Sequence, residues 1–104
     1  MAIREYEIVA KLNENYQEAL KLIPVDMLDE FRRKILRPED FAAYAKPILV
    51  AIQFKDVAAE VRVQNWIADR FQKGNFGRKL IGAKADPTQI YDRLLEGVFK
   101  LKDR

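Results

Sequence analysis

The hydrophobic positions of this chain recur mostly every three or four residues. Between residues 47 and 73, seven positions follow alternating spacings of four and three, and all but one of them are apolar. Residues at these spacings share one face of an α-helix. The pattern therefore predicts a long central helix over 47–73 that turns one stripe into the core: Val50, Phe54, Val57, Val61, Gln64, Ala68 and Phe71.

Pro47 and Gly74 fit the two ends of this predicted helix. Proline suits the first helical position because its φ is already helical and its missing N–H would have no partner there. Glycine after the last turn takes the left-handed conformation without a Cβ clash. Pro38 can open a preceding helical segment, and the sequence leaves open whether 38–45 continues into the central helix.

Two segments also carry features of strands. Residues 3–12 alternate in part between polar and apolar, and residues 48–54 are apolar on all sides. Short strands at 3–12 and 48–54 are therefore an alternative. Helices are preferred because helical spacing continues beyond both segments, through residue 23 in the first case and residue 71 in the second.

The remaining elements are predicted from breakers and caps. A second helix is expected over 25–37. Asp86 followed by Pro87 pairs an N-cap acceptor with proline at the first helical position, and predicts a helix over 87–102. Gly97 lies inside that segment, where glycine costs about 1 kcal/mol relative to alanine. Its presence indicates that another helix backbone approaches closely.

These elements predict an all-α fold, a compact bundle of four or five helices around the central helix. The alternative is an α+β fold with the two short strands. A chain of 104 residues is the size of a single domain, so residues 1–104 are expected to form one helical domain.

The composition restricts the chemistry that the chain can perform. It contains no cysteine, histidine or serine, and Thr88 is its only threonine. The common zinc, haem and iron–sulfur ligand sets and the Ser–His and Cys–His pairs are thereby excluded. A carboxylate site for magnesium would have to use the densest acidic group, but its spacing is more typical of a first helical turn. We therefore expect no enzyme activity, no cofactor and no small-molecule substrate; the acidic group is Asp26, Asp29, Glu30, Glu39 and Asp40.

The sequence also favours a location in the cytoplasm. Its longest apolar run, 47–52, is too short to cross a bilayer, and Arg4, Glu5 and Glu7 disagree with the plan of a secretory signal. The absence of cysteine gives no sign of an oxidising compartment. No membrane association is expected.

Positive charge is concentrated in one part of the chain. Between Arg62 and Lys84, six basic residues stand against the single acid Asp69. Trp66 lies four residues from both Arg62 and Arg70, so all three side chains are neighbours on a helix. An indole among guanidinium groups suits nucleic acid, through stacking on a base and neutralisation of phosphate.

The region 74–85 contains three glycines and is predicted to be a connector whose apolar side chains, Phe76, Leu80 and Ile81, cover the core. Its basic residues extend the charged surface. The candidate residues for binding nucleic acid or another anionic macromolecule are Arg62, Trp66, Arg70, Lys73, Arg78, Lys79 and Lys84.

The alternative function is a protein-binding or self-associating helical module with no nucleic-acid role. In that case Trp66 completes a second buried face of the central helix, and the positive charge is incidental. Broad apolar faces in a chain of this size make a homo-oligomer a reasonable expectation.

Overall fold

The computed structural model describes residues 3–101, and within that range it contains helices and no strand. The predicted all-α fold is confirmed, and the strand alternatives at 3–12 and 48–54 are wrong. Five helices have seven or more residues; they are α1 (Glu5–Leu20), α3 (Phe41–Phe54), α4 (Val57–Arg70), α5 (Phe76–Gly82) and α6 (Pro87–Leu95).

The chain between α1 and α3 is a run of short helical turns. A 3₁₀ turn (Val25–Met27) leads into one α-helical turn, α2 (Leu28–Glu30), which widens into a π-helical turn (Phe31–Ile35). A further 3₁₀ turn (Pro38–Asp40) joins α3. The predicted helix over 25–37 is thus present in shorter and less regular form.

The single long helix predicted over 47–73 is wrong, because the chain breaks between α3 and α4. Lys55 takes the left-handed conformation, with φ of 50°, and its N–H closes the last turn of α3 by donating to the Ala51 carbonyl. Asp56 then caps α4, as its carboxylate accepts the Ala59 N–H at 3.2 Å. The first N–H groups of a helix have no partner within the helix, and the Asp56 carboxylate supplies one. A continuous helix would have no such unpaired N–H at this point.

Pro47 does not begin a helix but lies inside α3, so the helix runs without interruption from Phe41 to Phe54. An interior proline loses one hydrogen bond and costs about 3 kcal/mol. Four buried residues with the spacing of one helix face offset this cost by packing into the core, which favours continuation through the proline; they are Phe41, Tyr44, Ala45 and Ile48.

The buried face of α4 differs from the predicted stripe. Ala59, Val63 and Ile67 are buried, whereas Phe54, Val57 and Val61 are exposed. Of the seven stripe residues, Phe71 is buried as predicted, and Val50, Gln64 and Ala68 are intermediate. Because the helix restarts at Asp56, the stripe residues within α4 still share one face, but that face points away from the core.

Aromatic rings from separate parts of the chain pack together in the core. The ring of Phe31 lies 5.8 Å from those of Tyr16 and Phe71 and 5.7 Å from that of Phe76. Buried aromatic pairs at these centroid distances stabilise a core beyond their burial alone. The Tyr16 hydroxyl donates to the Leu36 carbonyl at 2.8 Å, and burial raises the pKa of Tyr16 to about 12.

Asn15 connects α1 to the end of α6. Its buried amide nitrogen donates to the carbonyls of Leu94 and Glu96, both at 2.9 Å, and its amide oxygen accepts from Arg93 at 3.3 Å. The last carbonyls of a helix have no partner within the helix, so the Asn15 side chain supplies one.

The predicted helix over 87–102 ends early, at Leu95. Gly97 takes a left-handed φ of 74° and leads into a 3₁₀ turn (Val98–Lys100). The nearest atom to a Cβ placed on Gly97 belongs to the Lys11 side chain, at 3.4 Å, so no second helix backbone from within residues 3–101 makes the expected close approach. Asp86 caps α6 as predicted, since its carboxylate accepts the Thr88 N–H at 3.0 Å.

The segment predicted as a connector over 74–85 contains α5. Gly74 and Asn75 both take left-handed φ values, 58° and 59°, and separate α5 from α4. Phe76 and Leu80 are buried as predicted, but Ile81 is exposed, because a helix places it away from those two residues.

Candidate nucleic-acid interface

Trp66 lies on one side of α4 and is neither buried nor isolated. Its ring centroid is 6.3 Å from that of buried Tyr44 on α3, and 45% of the residue remains exposed. Burial raises the pKa of the Tyr44 hydroxyl, and the Arg70 charge opposes that rise. One part of Trp66 therefore packs against the fold while the rest is open to a ligand.

Arg70, one turn after Trp66, is engaged within the fold. Its Nε donates to the Ile35 carbonyl at 3.0 Å, and its Nη2 donates to Asp40 Oδ2 at 2.9 Å. Ile35 ends the π-helical turn, where carbonyls lack a helical partner. The guanidinium group thus links α4 to two separate parts of the chain and stabilises their packing.

Asp40 is shared between two arginines. Arg37 contacts its other oxygen, Oδ1, at 3.1 Å. Burial alone would raise the pKa of Asp40, but hydrogen bonds from Arg37 and the charges of Arg37 and Arg70 together lower it below the ordinary range. The carboxylate consequently stays ionised at neutral pH and holds Arg70 in place.

Lys79 on α5 is also paired. Its Nζ lies 3.0 and 3.2 Å from the two carboxylate oxygens of Glu30. The lysine side chain remains half exposed, so this contact contributes little to stability.

Four of the candidate basic residues are exposed and form no ion pair within residues 3–101: Arg62, Lys73, Arg78 and Lys84. Arg62 lies one turn before Trp66 on the same side of α4. Lys73 belongs to the 3₁₀ turn after α4, and Arg78 lies on α5 away from the buried Phe76 and Leu80. Lys84 follows α5 with a left-handed φ of 64°. These four side chains are available to anionic groups.

The acidic residues considered for magnesium are mostly paired with bases. Asp29 contacts Arg33 at 3.1 Å, Glu30 contacts Lys79, and Asp40 contacts two arginines. Within residues 3–101 no group of three or more acidic residues is arranged to hold a metal ion.

The side of α4 away from Trp66 exposes apolar residues. The sequence pattern predicted these residues to be buried, so it did not indicate an exposed surface here. Phe54 at the end of α3 is 73% exposed, and Val57 and Val61 on α4 are 69% and 44% exposed. At 100° per residue, Val57 lies opposite Trp66 around the helix axis. Helix α4 therefore presents two separate surfaces to solvent.

Comparison with protein-family models, curated proteins and solved structures finds no match to this chain. No helix among residues 3–101 has the length and apolar character needed to cross a membrane.

Proposed function

We propose that this protein is a non-enzymatic helical module that binds an anionic macromolecule, single-stranded nucleic acid, through the basic side of α4 and the α5 region. The observation that supports this proposal best is a partly exposed Trp66 one helical turn from the exposed, unpaired Arg62. Stacking on an aromatic side chain and neutralisation of phosphate by arginine are the two contributions typical of such binding.

The proposal assigns different roles to the candidate residues. Arg62, Lys73, Arg78 and Lys84 neutralise phosphates, and Trp66 offers a stacking surface. Arg70 and Lys79 keep the ion pairs that they form within the fold. Because phosphate contacts dominate, binding has little sequence preference and depends strongly on salt.

A titration with labelled single-stranded DNA and RNA at two salt concentrations tests this function. Trp66 is the only tryptophan, so its fluorescence reports contact directly. We expect binding that weakens at the higher salt concentration and quenches Trp66. Absence of binding at low salt would overturn the proposal.

Arg62→Ala is the most informative variant for this titration. It should weaken binding and reduce the salt slope by about one unit while leaving the helical circular dichroism unchanged. Lys100→Ala is the matched control. Lys100 belongs to the last 3₁₀ turn and lines a groove with Glu60 and Gln64, on the side of α4 away from Trp66. Equal weakening by both variants would argue for a diffuse charge effect without a defined surface.

The exposed apolar side of α4 favours a second candidate function, a helical module that associates with protein. Phe54, Val57 and Val61 are the residues that support it. The two functions use different sides of one helix and are compatible.

A further inference from the structure

One strip along α4 is free of charge over its whole length. In order along the chain, its six exposed or partly exposed positions are Val57, Ala58, Val61, Gln64, Asn65 and Ala68. They cover about 120° of the helix surface at 100° per residue. A third of the chain is charged, yet none of these six side chains is.

The strip is also the place where exposed apolar side chains gather. Three of the seven exposed large apolar side chains within residues 3–101 are Phe54, Val57 and Val61, which lie within eight residues of one another in the sequence. Alanines at positions 58 and 68 leave room for a second helix to approach closely.

The spacing of the strip is symmetric. Positions 57, 61, 64 and 68 are separated by four, three and four residues, the alternating spacings of a coiled-coil seam. This order reads the same from either end. An antiparallel copy of α4 related by a two-fold axis would place Val57 opposite Ala68 and Val61 opposite Gln64, so every seam position meets another seam position.

We propose that α4 pairs antiparallel with α4 of a second copy of this chain through this strip. A second copy fits better than a charged partner, because none of the strip's own side chains offers a charge to recognise. Valine opposite alanine, and valine opposite glutamine, avoids crowding at each contact.

A seam made by one 14-residue helix is small. Each partner in a standard interface contributes about 800 Å², so this dimer should be weak, with a Kd on the order of 10 µM or higher. The inference is independent of nucleic-acid binding, since the centre of the strip lies about 140° around the helix from Trp66. It rests on the second candidate function and supplies its partner.

Sedimentation velocity from low micromolar to millimolar concentration tests the pairing. The wild-type mass should rise from 12.2 kDa toward twice that value. A wild type that stays monomeric at millimolar concentration would overturn the inference, whatever its nucleic-acid binding.

Val61→Glu should keep the protein monomeric throughout, because it places two like charges near the centre of the seam. Val57→Glu is a second disrupting variant that should remain folded, as an acid suits the first turn of a helix. Val25→Glu is the matched control: Val25 is 81% exposed in the turn after α1, and this variant should dimerise like the wild type. A dimer that survives both α4 substitutions would show that another surface is used.

A charge-pair rescue tests the antiparallel register. Gln64→Lys alone should also abolish dimers, whereas Val61→Glu combined with Gln64→Lys should restore them, because each new acid faces a new base of the partner. Parallel pairing would place like charges opposite each other, so failure of the folded double variant to dimerise would overturn the antiparallel arrangement. Circular dichroism confirms that each variant is folded.

Discussion

The two exposed sides of α4 differ in the contacts that they make with the rest of the fold. Around Trp66, the neighbouring Tyr44 ring and the Arg70 contacts to Ile35 and Asp40 tie the surface to other elements. Around Val57 and Val61, the side chains project into solvent. The charged side therefore contributes to the fold as well as to a candidate site, whereas the exposed apolar side chains contribute little to the stability of the isolated fold.

The largest expected effect is the difference in unfolding free energy between a substitution on the buried face of α4 and the same substitution on its exposed apolar side. Val63→Ala removes methyl groups from a fully buried position and should lower the free energy of unfolding by about 2 to 3 kcal/mol. Val57→Ala, the same change on the exposed side, should cost less than about 0.5 kcal/mol. Urea unfolding at low protein concentration measures both. Equal costs would mean that Val57 is buried as the sequence pattern predicted.

A smaller effect is expected on the charged side, where Arg70 and Arg62 flank Trp66. Arg70→Ala leaves the Ile35 carbonyl and Asp40 without this partner and should cost about 1.5 kcal/mol. Arg62→Ala and the exposed-pair variant Lys79→Ala should each change the unfolding free energy by less than about 0.5 kcal/mol. An Arg70→Ala protein as stable as the wild type would show that its contacts are not needed.

The smallest effect is a pH dependence at Asp40. Its pKa is lowered in the folded state, so on acidification the unfolded chain binds the proton first. The stability from this carboxylate is present above the unfolded pKa of about 3.9 and is lost as the pH falls through the lower folded value. Asp40→Asn should therefore show a shallower fall of unfolding free energy below about pH 4. Identical profiles would exclude a role for this ionisation.

Helical periodicity predicted the fold class and several core residues, but not the phase of α4. Spacings of three and four continue across residues 54–57 as if one helix ran through them, although the left-handed Lys55 and the cap at Asp56 divide it. A lysine gives little warning of a left-handed conformation, which glycine or asparagine more often adopts. Asp56 was the available signal, as a cap residue immediately before a helical segment.

For the candidate site, too, the sequence predicted some features and not others. Sequence spacing correctly placed Arg62 and Arg70 a turn either side of Trp66, because both lie on α4 with it. It could not distinguish their environments. The partners of Arg70 are Ile35 and Asp40, more than 29 residues away in sequence, and only tertiary packing brings them to α4.

The measurement that tests the central claim most directly is an NMR titration of the protein with a single-stranded oligonucleotide, followed through side-chain signals. If the two sides of α4 have separate roles, the indole N–H of Trp66 and the Nε–H of Arg62 will shift, as will the signals of Lys73, Arg78 and Lys84. The methyl groups of Val57 and Val61 will not. Shifts centred on Val57 and Val61, or no shifts at low salt, would contradict the proposed division of this helix.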